Sequence, residues 1–277
     1  MTPIKIIVHC LVKNEERFIW YALKSVLPFV DKIMVWDTGS TDNTLQIVKA
    51  IKSKKIKFKQ LKSVTPKTFT KASQQMIDQT PKDTTWIMIL DGDEIWPKDS
   101  IKKVIEFAKN NTEAESIVVR TNNLVGDIYH RLPKSAGHYQ IAGQKGHLSI
   151  RLMNYKKIPG LHFDLPHGQR GLFDKNNKLI QDRDPNKIKF INVSYHHATH
   201  LVRSSKDNMT IKRKQKFKYE LGQKIPPQEI PKIFFTSRPT IVSLVTKERG
   251  FGFFALALIQ TPLRKLRRTI LPVKSGY

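Results

Sequence analysis

Trp86-Ile87-Met88-Ile89-Leu90-Asp91-Gly92-Asp93-Glu94-Ile95-Trp96 is the stretch whose reading decides the fold. The large apolar residues Trp86 to Leu90 form a run too short for a typical helix, and they read as a strand buried on both faces of a sheet. Three carboxylates then stand at its end. Open α/β sheets bind ligands in the crevice outside the carboxyl ends of their strands. Asp91 and Asp93 are separated by a glycine that lets a backbone or a phosphate come close. They offer oxygen ligands suited to a hard divalent cation, magnesium or manganese, bridging to a diphosphate. Asp and Gly are also common in surface turns, and it is the strand in front of them that favours a site.

Upstream, Ile4 to Leu11 reads as the first strand. A break at Val12-Lys13-Asn14-Glu15-Glu16 follows, then a helix with Phe18, Ile19, Ala22, Val26 and Phe29 on one face. Asn14 is expected either to cap that helix or, with Glu16, to line the ligand crevice. Lys32 to Trp36 is a second strand that also ends in an acid, Asp37. Gly39 permits a turn there, Asp42 or Asn43 can cap the next helix, and Leu45, Val48 and Ile51 form its stripe. Turn and cap do not account for Asp37, which suits a carboxylate accepting hydrogen bonds from a base or ribose. Lys55 to Lys59 alternates as an edge strand, and Thr68 to Gln79 can form a helix leading to Trp86. The resulting βαβαβαβ order predicts a mostly parallel sheet with right-handed crossovers.

The 277 residues are enough for one large α/β domain with an appendage, or for two small domains. Lys and Arg number 49 against 23 Asp and Glu, a formal charge of +26 that attracts polyanions without choosing among nucleic acid, anionic lipid and phosphorylated substrates. The single Cys10 lies in an apolar stretch and reads as a buried hydrophobe in a reducing compartment. Ile4 to Leu11 is interrupted by Lys and His and is not read as a signal peptide. No run of about 20 apolar residues occurs, so a spanning helix is not expected.

Val12 to Glu16, Val35 to Thr44 and Trp86 to Glu94 together resemble the signature segments of family 2 glycosyltransferases of the GT-A fold, in particular the bacterial enzymes that decorate lipopolysaccharide cores and other cell-surface glycans. The resemblance implies a Rossmann-like α/β domain, a nucleoside-diphosphate sugar as donor, inversion at the anomeric carbon, and Mn2+ or Mg2+. Asn14 and Glu16 would border the nucleotide, Asp37 would hold the base, Asp91 would reach the ribose or the metal, and Asp93 would coordinate the metal. The sequence departs from the family where an Arg-Asn pair often precedes the central strand: here Lys71-Ala72-Ser73-Gln74-Gln75 stands, and Lys offers phosphate a point charge without the Arg fork.

Beyond the acids, Asp99 or Ser100 is expected to cap a helix with Ile101, Val104, Ile105 and Ala108 inward. Ser116 to Thr121 reads as a strand, and Asn122 to Gly146 as a long polar loop that covers the acceptor. Ser149 to Met153 and Gly160 to Gly168 resemble the second half of the family's domain, where related enzymes carry an Arg-Leu-Phe segment and later a His-Glu pair. An inverting transfer needs a group to take the acceptor hydroxyl's proton. Asp164 is the leading candidate, with His167 and Asp127 as alternatives. Lys187 to Ser194 alternates as a strand. In GT-A enzymes a His after this late strand can complete the metal site, a role for which His197 is preferred over His200.

Ser204 to Glu220 reads as a strongly basic helix, broken by Pro226-Pro227 and Pro231. The tail from Phe251 to Ile259, followed by Leu263-Arg264-Lys265-Leu266-Arg267-Arg268, suits either an anionic membrane interface or a helix packed on the domain or at a dimer contact. The expected organisation is a catalytic domain over 1–203 and a basic helical extension over 204–277. The expected protein is an inverting, metal-dependent glycosyltransferase in the cytoplasm, peripheral on the inner face of the membrane, with a glycan or lipid-linked acceptor. A nucleotidyltransferase would show a Gly-rich basic loop after the first strand, where Asn14-Glu15-Glu16 is acidic instead. A nucleic-acid binder would show a recognised module, and none is present. A catalytically silent member of the fold is the remaining alternative.

Overall fold

The computed structural model describes residues 4–62, 64–166, 169–207 and 216–270. Its parallel half is built from β1 (Ile6–Val12), β2 (Lys32–Asp37), β3 (Ile56–Gln60) and β4 (Trp86–Ile89), in the spatial order β3-β2-β1-β4. The helices α1 (Ile19–Val26), α2 (Thr44–Ala50) and α3 (Phe69–Asp78) make the connections. Trp86, Ile87 and Met88 are fully buried, as the unbroken apolar run requires. Burying each such side chain stabilises by about 1.5–3 kcal/mol.

After β4 the chain turns through a two-residue strand β5 (Glu94–Ile95) into α4 (Lys98–Asn110), whose Ile101, Val104, Ile105 and Ala108 are buried as one stripe. The sheet then becomes mixed. β6 (Ser116–Val125) forms a hairpin with β7 (Asp127–Arg131), and β8 (Tyr139–Ile141) pairs with β9 (Gln144–Gly146) in a separate small sheet. The long loop expected over Asn122 to Gly146 is therefore largely strand. Its pieces are short and turn at Gly126, whose φ of 79° favours glycine, so alternation never runs long enough to be seen.

β10 (Leu148–Asn154) lies antiparallel between β4 and β6. β11 (His162–Asp164) and β12 (Gly171–Phe173) make a second small sheet. β13 (Ile188–His197) runs parallel to β6, and its last two residues pair antiparallel with β5, setting His197 opposite Glu94. β14 (Gln223–Lys224) adds to β7 and completes a ten-stranded sheet.

Two expected caps differ. Asn14 is not the cap of α1, which starts at Ile19; it sits at a φ of 55°, a conformation that Asn tolerates better than most residues. Asp99 and Ser100 lie inside α4, whose cap is Pro97. The middle of the basic helix expected over Ser204 to Glu220, residues 208–215, lies outside the described residues, and its described flanks are not α-helical. Between 216 and 250 the described chain is irregular apart from β14 and short 3-10 turns. Ile225, Phe234 and Val242 from this stretch nonetheless join the same apolar cluster as the central strands. The chain ends its described part in α5 (Phe251–Ile270).

Candidate active site

β1, β2 and β4 are parallel, so their carboxyl ends fall on one edge of the sheet. Val12 pairs with Asp37 in register, and the Leu90 N–H donates to the His9 carbonyl at 3.0 Å. The loops leaving that edge are tied to one another. The fully buried Asp37 carboxylate accepts from the N–H groups of Gly39 and Ser40, at 3.0 Å to Oδ2 in each case. Asn14 Oδ1 accepts from the Thr41 N–H at 2.8 Å, and the Asn14 N–H donates to Ser40 Oγ at 2.9 Å. Glu16 takes both nitrogens of Asn43 on Oε2 and the Ser205 N–H on Oε1. Despite burial, these donors hold the Glu16 pKa below the usual carboxylate range. Asn14 and Glu16 thus brace the loops around Asp37.

The acids after β4 meet cations drawn from far along the chain. Asp91, Glu94 and His197 each present a ligand atom, all within 4.8 Å of one another. Arg151, from β10, hydrogen-bonds Glu94 and lies 3.7 Å from Asp91 Oδ2. The Tyr195 hydroxyl accepts from Arg151 Nε at 3.0 Å and Nη2 at 2.7 Å, while the Tyr195 ring stacks on Trp96 with centroids 5.1 Å apart. Asp93, also fully buried, meets a second cation: Arg203 Nη1 reaches its Oδ2 at 3.0 Å and His197 Nε2 lies 3.4 Å from Oδ1. The same Arg203 nitrogen holds Glu15 Oε1 at 2.7 Å. Gly92 is needed for this packing, because a Cβ there would stand 2.8 Å from Glu15 Cγ.

Charge follows from this arrangement. Burial pushes Glu94 up to about 7, with Arg151 opposing and Asp91 adding to the rise. Burial disfavours the charged imidazole of His197, yet Asp93, Glu94 and Asp91 together hold its pKa above the ordinary value. His200 is directed elsewhere: its Nδ1 donates to the Lys216 carbonyl at 2.7 Å, and burial keeps it neutral by lowering its pKa to about 3.

Two carboxylates and an imidazole form an O, O, N donor set that fits Mn2+ or Mg2+. Arg151, Arg203 and His197 are paired with Glu94, Asp93 and Glu15, and so offset the acid charge gathered at this edge.

Asp164 closes β11, exposed, with its own Oδ1 accepting the Leu165 N–H at 2.7 Å. β11 is held to α3 through the Phe163 N–H on Gln74 Oε1 at 2.8 Å. Asp164 does not belong to the Asp91–Glu94–His197 group. His167 lies outside the described residues. Asp127 is buried in the β6–β7 turn, bound to the Tyr129 N–H and to His130. Arg151, Tyr195 and Arg203 are functional residues that the sequence pattern does not assign to the site. Glu94 is visible as the third carboxylate after β4, and Arg151 only through the segment resembling the family's Arg-Leu-Phe.

The sequence profile of glycosyl transferase family 2 matches residues 8–179, more than half of the chain. The chain belongs to that family, and its sheet is the Rossmann-like GT-A arrangement. Among solved structures it is similar to TarS of S. aureus, with 17% identity, a TM-score of 0.48, and coverage of 71% of this chain and 37% of that one. The 1–349 fragment of TarS gives 17% identity and a TM-score of 0.48, covering 74% and 62%. The chain is also similar to glucosyl-3-phosphoglycerate synthase from Mycobacterium tuberculosis in complex with Mn2+, UDP and glucosyl-3-phosphoglycerate, with 16% identity, a TM-score of 0.46, and coverage of 76% and 77%. The chain thus spans 37% of the TarS chain and less than two thirds of its 1–349 fragment. No curated protein matches it.

Proposed function

We propose that the chain is an inverting glycosyltransferase that moves a sugar from a nucleoside-diphosphate donor to a glycan or lipid-linked acceptor in cell-surface synthesis, with a divalent cation as cofactor. The observation that carries this reading is the Asp91, Glu94 and His197 group at the carboxyl end of β4, in a chain of glycosyl transferase family 2. Residues 1–203 are assigned to catalysis and 204–277 to an extension, with the enzyme working at the cytoplasmic face of the membrane.

Asp91 and His197 would hold the cation, with Glu94 beside them, and Asp93 would act through its contact with His197. The bound cation would supply neutralising charge at the donor diphosphate. Asp37, at the tip of β2, is assigned to the base, on the loops that Asn14 and Glu16 brace. Arg151 and Arg203 fix the carboxylates against their mutual repulsion, so their geometry is set before the donor arrives. In the transfer the acceptor oxygen bonds to the anomeric carbon as the bond from that carbon to the diphosphate oxygen breaks. Asp164 or His167 takes the acceptor's proton, and the nucleoside diphosphate departs with the bonding pair.

The test is thermal shift with UDP, GDP, dTDP and CDP, each with and without manganese, on wild type and Asp91→Asn. A manganese-dependent rise in Tm for one nucleotide, lost in the variant, is expected and names the base. A folded protein that responds to none of them overturns the donor site.

A further inference from the structure

A surface helix of a folded domain normally turns its apolar stripe to the core. α5 does the reverse. The side that meets the body carries Phe253, Ala257, Thr261, Arg264 and Arg268, and only Ala257 is fully buried. Thr261 Oγ1 accepts the Leu221 N–H at 2.9 Å. Arg268 Nη2 reaches Glu220 Oε1 at 2.7 Å, with Arg264 Nε 3.9 Å from the same oxygen, and Glu220 is almost fully buried. Phe253 packs over Gly126, where a Cβ would come within 2.7 Å of its ring. The helix is therefore fixed in place by its polar side.

The other side carries Leu256, Ile259, Leu263, Leu266 and Ile270, spaced three, four, three and four residues apart, which makes one continuous stripe. These residues are 45–66% exposed. Lys265 and Arg267 stand exposed at the flanks, and the helix contains no acid.

We infer that α5 is a docking helix for an anionic lipid bilayer, lying in the plane of the interface with this stripe among the acyl chains. No helix among the described residues is long and apolar enough to cross a membrane, so α5 lies on the bilayer. Charge selects the occupant. Lys265, Arg267 and the overall +26 attract a negative surface, whereas a second copy of the chain would set the same cations against each other. Phe253 also lines a cavity of about 220 Å³ together with Arg17, His200 and Lys218, so the docked helix sits beside an opening whose wall continues the segment that carries His197.

The test is flotation of the full chain with phosphatidylcholine vesicles, with and without phosphatidylglycerol, comparing wild type and the triple variant Ile259→Ser/Leu263→Ser/Leu266→Ser. Wild type is expected to float with the anionic vesicles, and the variant to bind roughly tenfold or more weakly with its Tm and nucleotide response unchanged. Binding to neither vesicle, or binding that the variant retains in full, overturns the inference. So does a wild-type dimer that the variant breaks into monomers. A second measurement leaves the other four stripe residues in place: Ile259→Cys labelled with a polarity-sensitive fluorophore, since Cys10 is buried. A blue shift on anionic vesicles is expected, and no shift counts against insertion.

Discussion

Arg203 Nη1 lies 3.0 Å from Asp93 Oδ2 and 2.7 Å from Glu15 Oε1, so one guanidinium joins the loop after β1 to the loop after β4. Removing it leaves two buried carboxylates without that partner. Arg203→Met is expected to cost about 3 kcal/mol, toward the low end for a broken buried pair because Arg203 keeps some exposure. Combining it with Asp93→Asn should recover part of the loss. A denaturant double-mutant cycle measures the coupling, and full additivity would show that the pair does not act as a unit.

Gly92→Ala tests the same junction through sterics. The added methyl meets Glu15 Cγ at 2.8 Å and Val12 Cγ1 at 3.2 Å. Overpacking of this kind costs about 1–3 kcal/mol, and the displaced Glu15 loosens its hold on Arg203. Urea unfolding should show the loss, and a neutral result would mean that the loop shifts freely.

Tyr195→Phe removes the acceptor for two Arg151 N–H groups and for the Thr121 hydroxyl, while keeping the ring on Trp96. Leaving such buried donors unmet costs about 1–3 kcal/mol. Because the lost bonds position Arg151 beside Asp91 and Glu94, the manganese-dependent nucleotide response should weaken as well. Unchanged stability and binding would rule out that positioning role.

His9 gives the acid sensitivity a definite sign. It is buried in β1, hydrogen-bonded to Thr80 Oγ1 at 2.8 Å, and burial lowers its pKa from 6.5 to about 3. Between those values the unfolded chain binds a proton that the native chain refuses. Stability is therefore lost as pH falls from 6.5 toward 3, by about 1.4 kcal/mol per pH unit. His9→Gln should reduce the pH dependence of stability in that window, with His196 and His200 supplying what remains, and an unaltered slope would assign the effect to other groups.

The parallel half of the fold was legible because its strands are buried on both faces and write themselves as unbroken apolar runs, Trp86 to Leu90 above all. The acids at their tips could be found for the same reason. Arg151, Tyr195 and Arg203 carry no comparable local sign, since their partners Glu94, Asp93 and Glu15 lie far away in sequence and are reached only through tertiary pairings, β10 with β4 and β13 with β5. Asn14 escaped as a cap because its side chain serves Thr41 across the crevice. The α5 stripe was visible as apolar residues beside basic ones, but which side faces outward is a tertiary fact.

The Ser204 hydroxyl donates to Asp42 at 2.5 Å, and the Ser205 N–H donates to Glu16 at 2.6 Å. Both residues stand just past the point where sequence reading divides the chain. Cutting the protein after residue 203 would thus remove a splint from the loops around Glu16 and Asp42. Excision of the N-terminal part for crystallisation or engineering should keep at least Asp207, whose carboxylate takes the Arg203 N–H at 2.8 Å. A fragment ending there would also lose Ile225, Phe234 and Val242 from the central core, so its inactivity would say nothing about its chemistry.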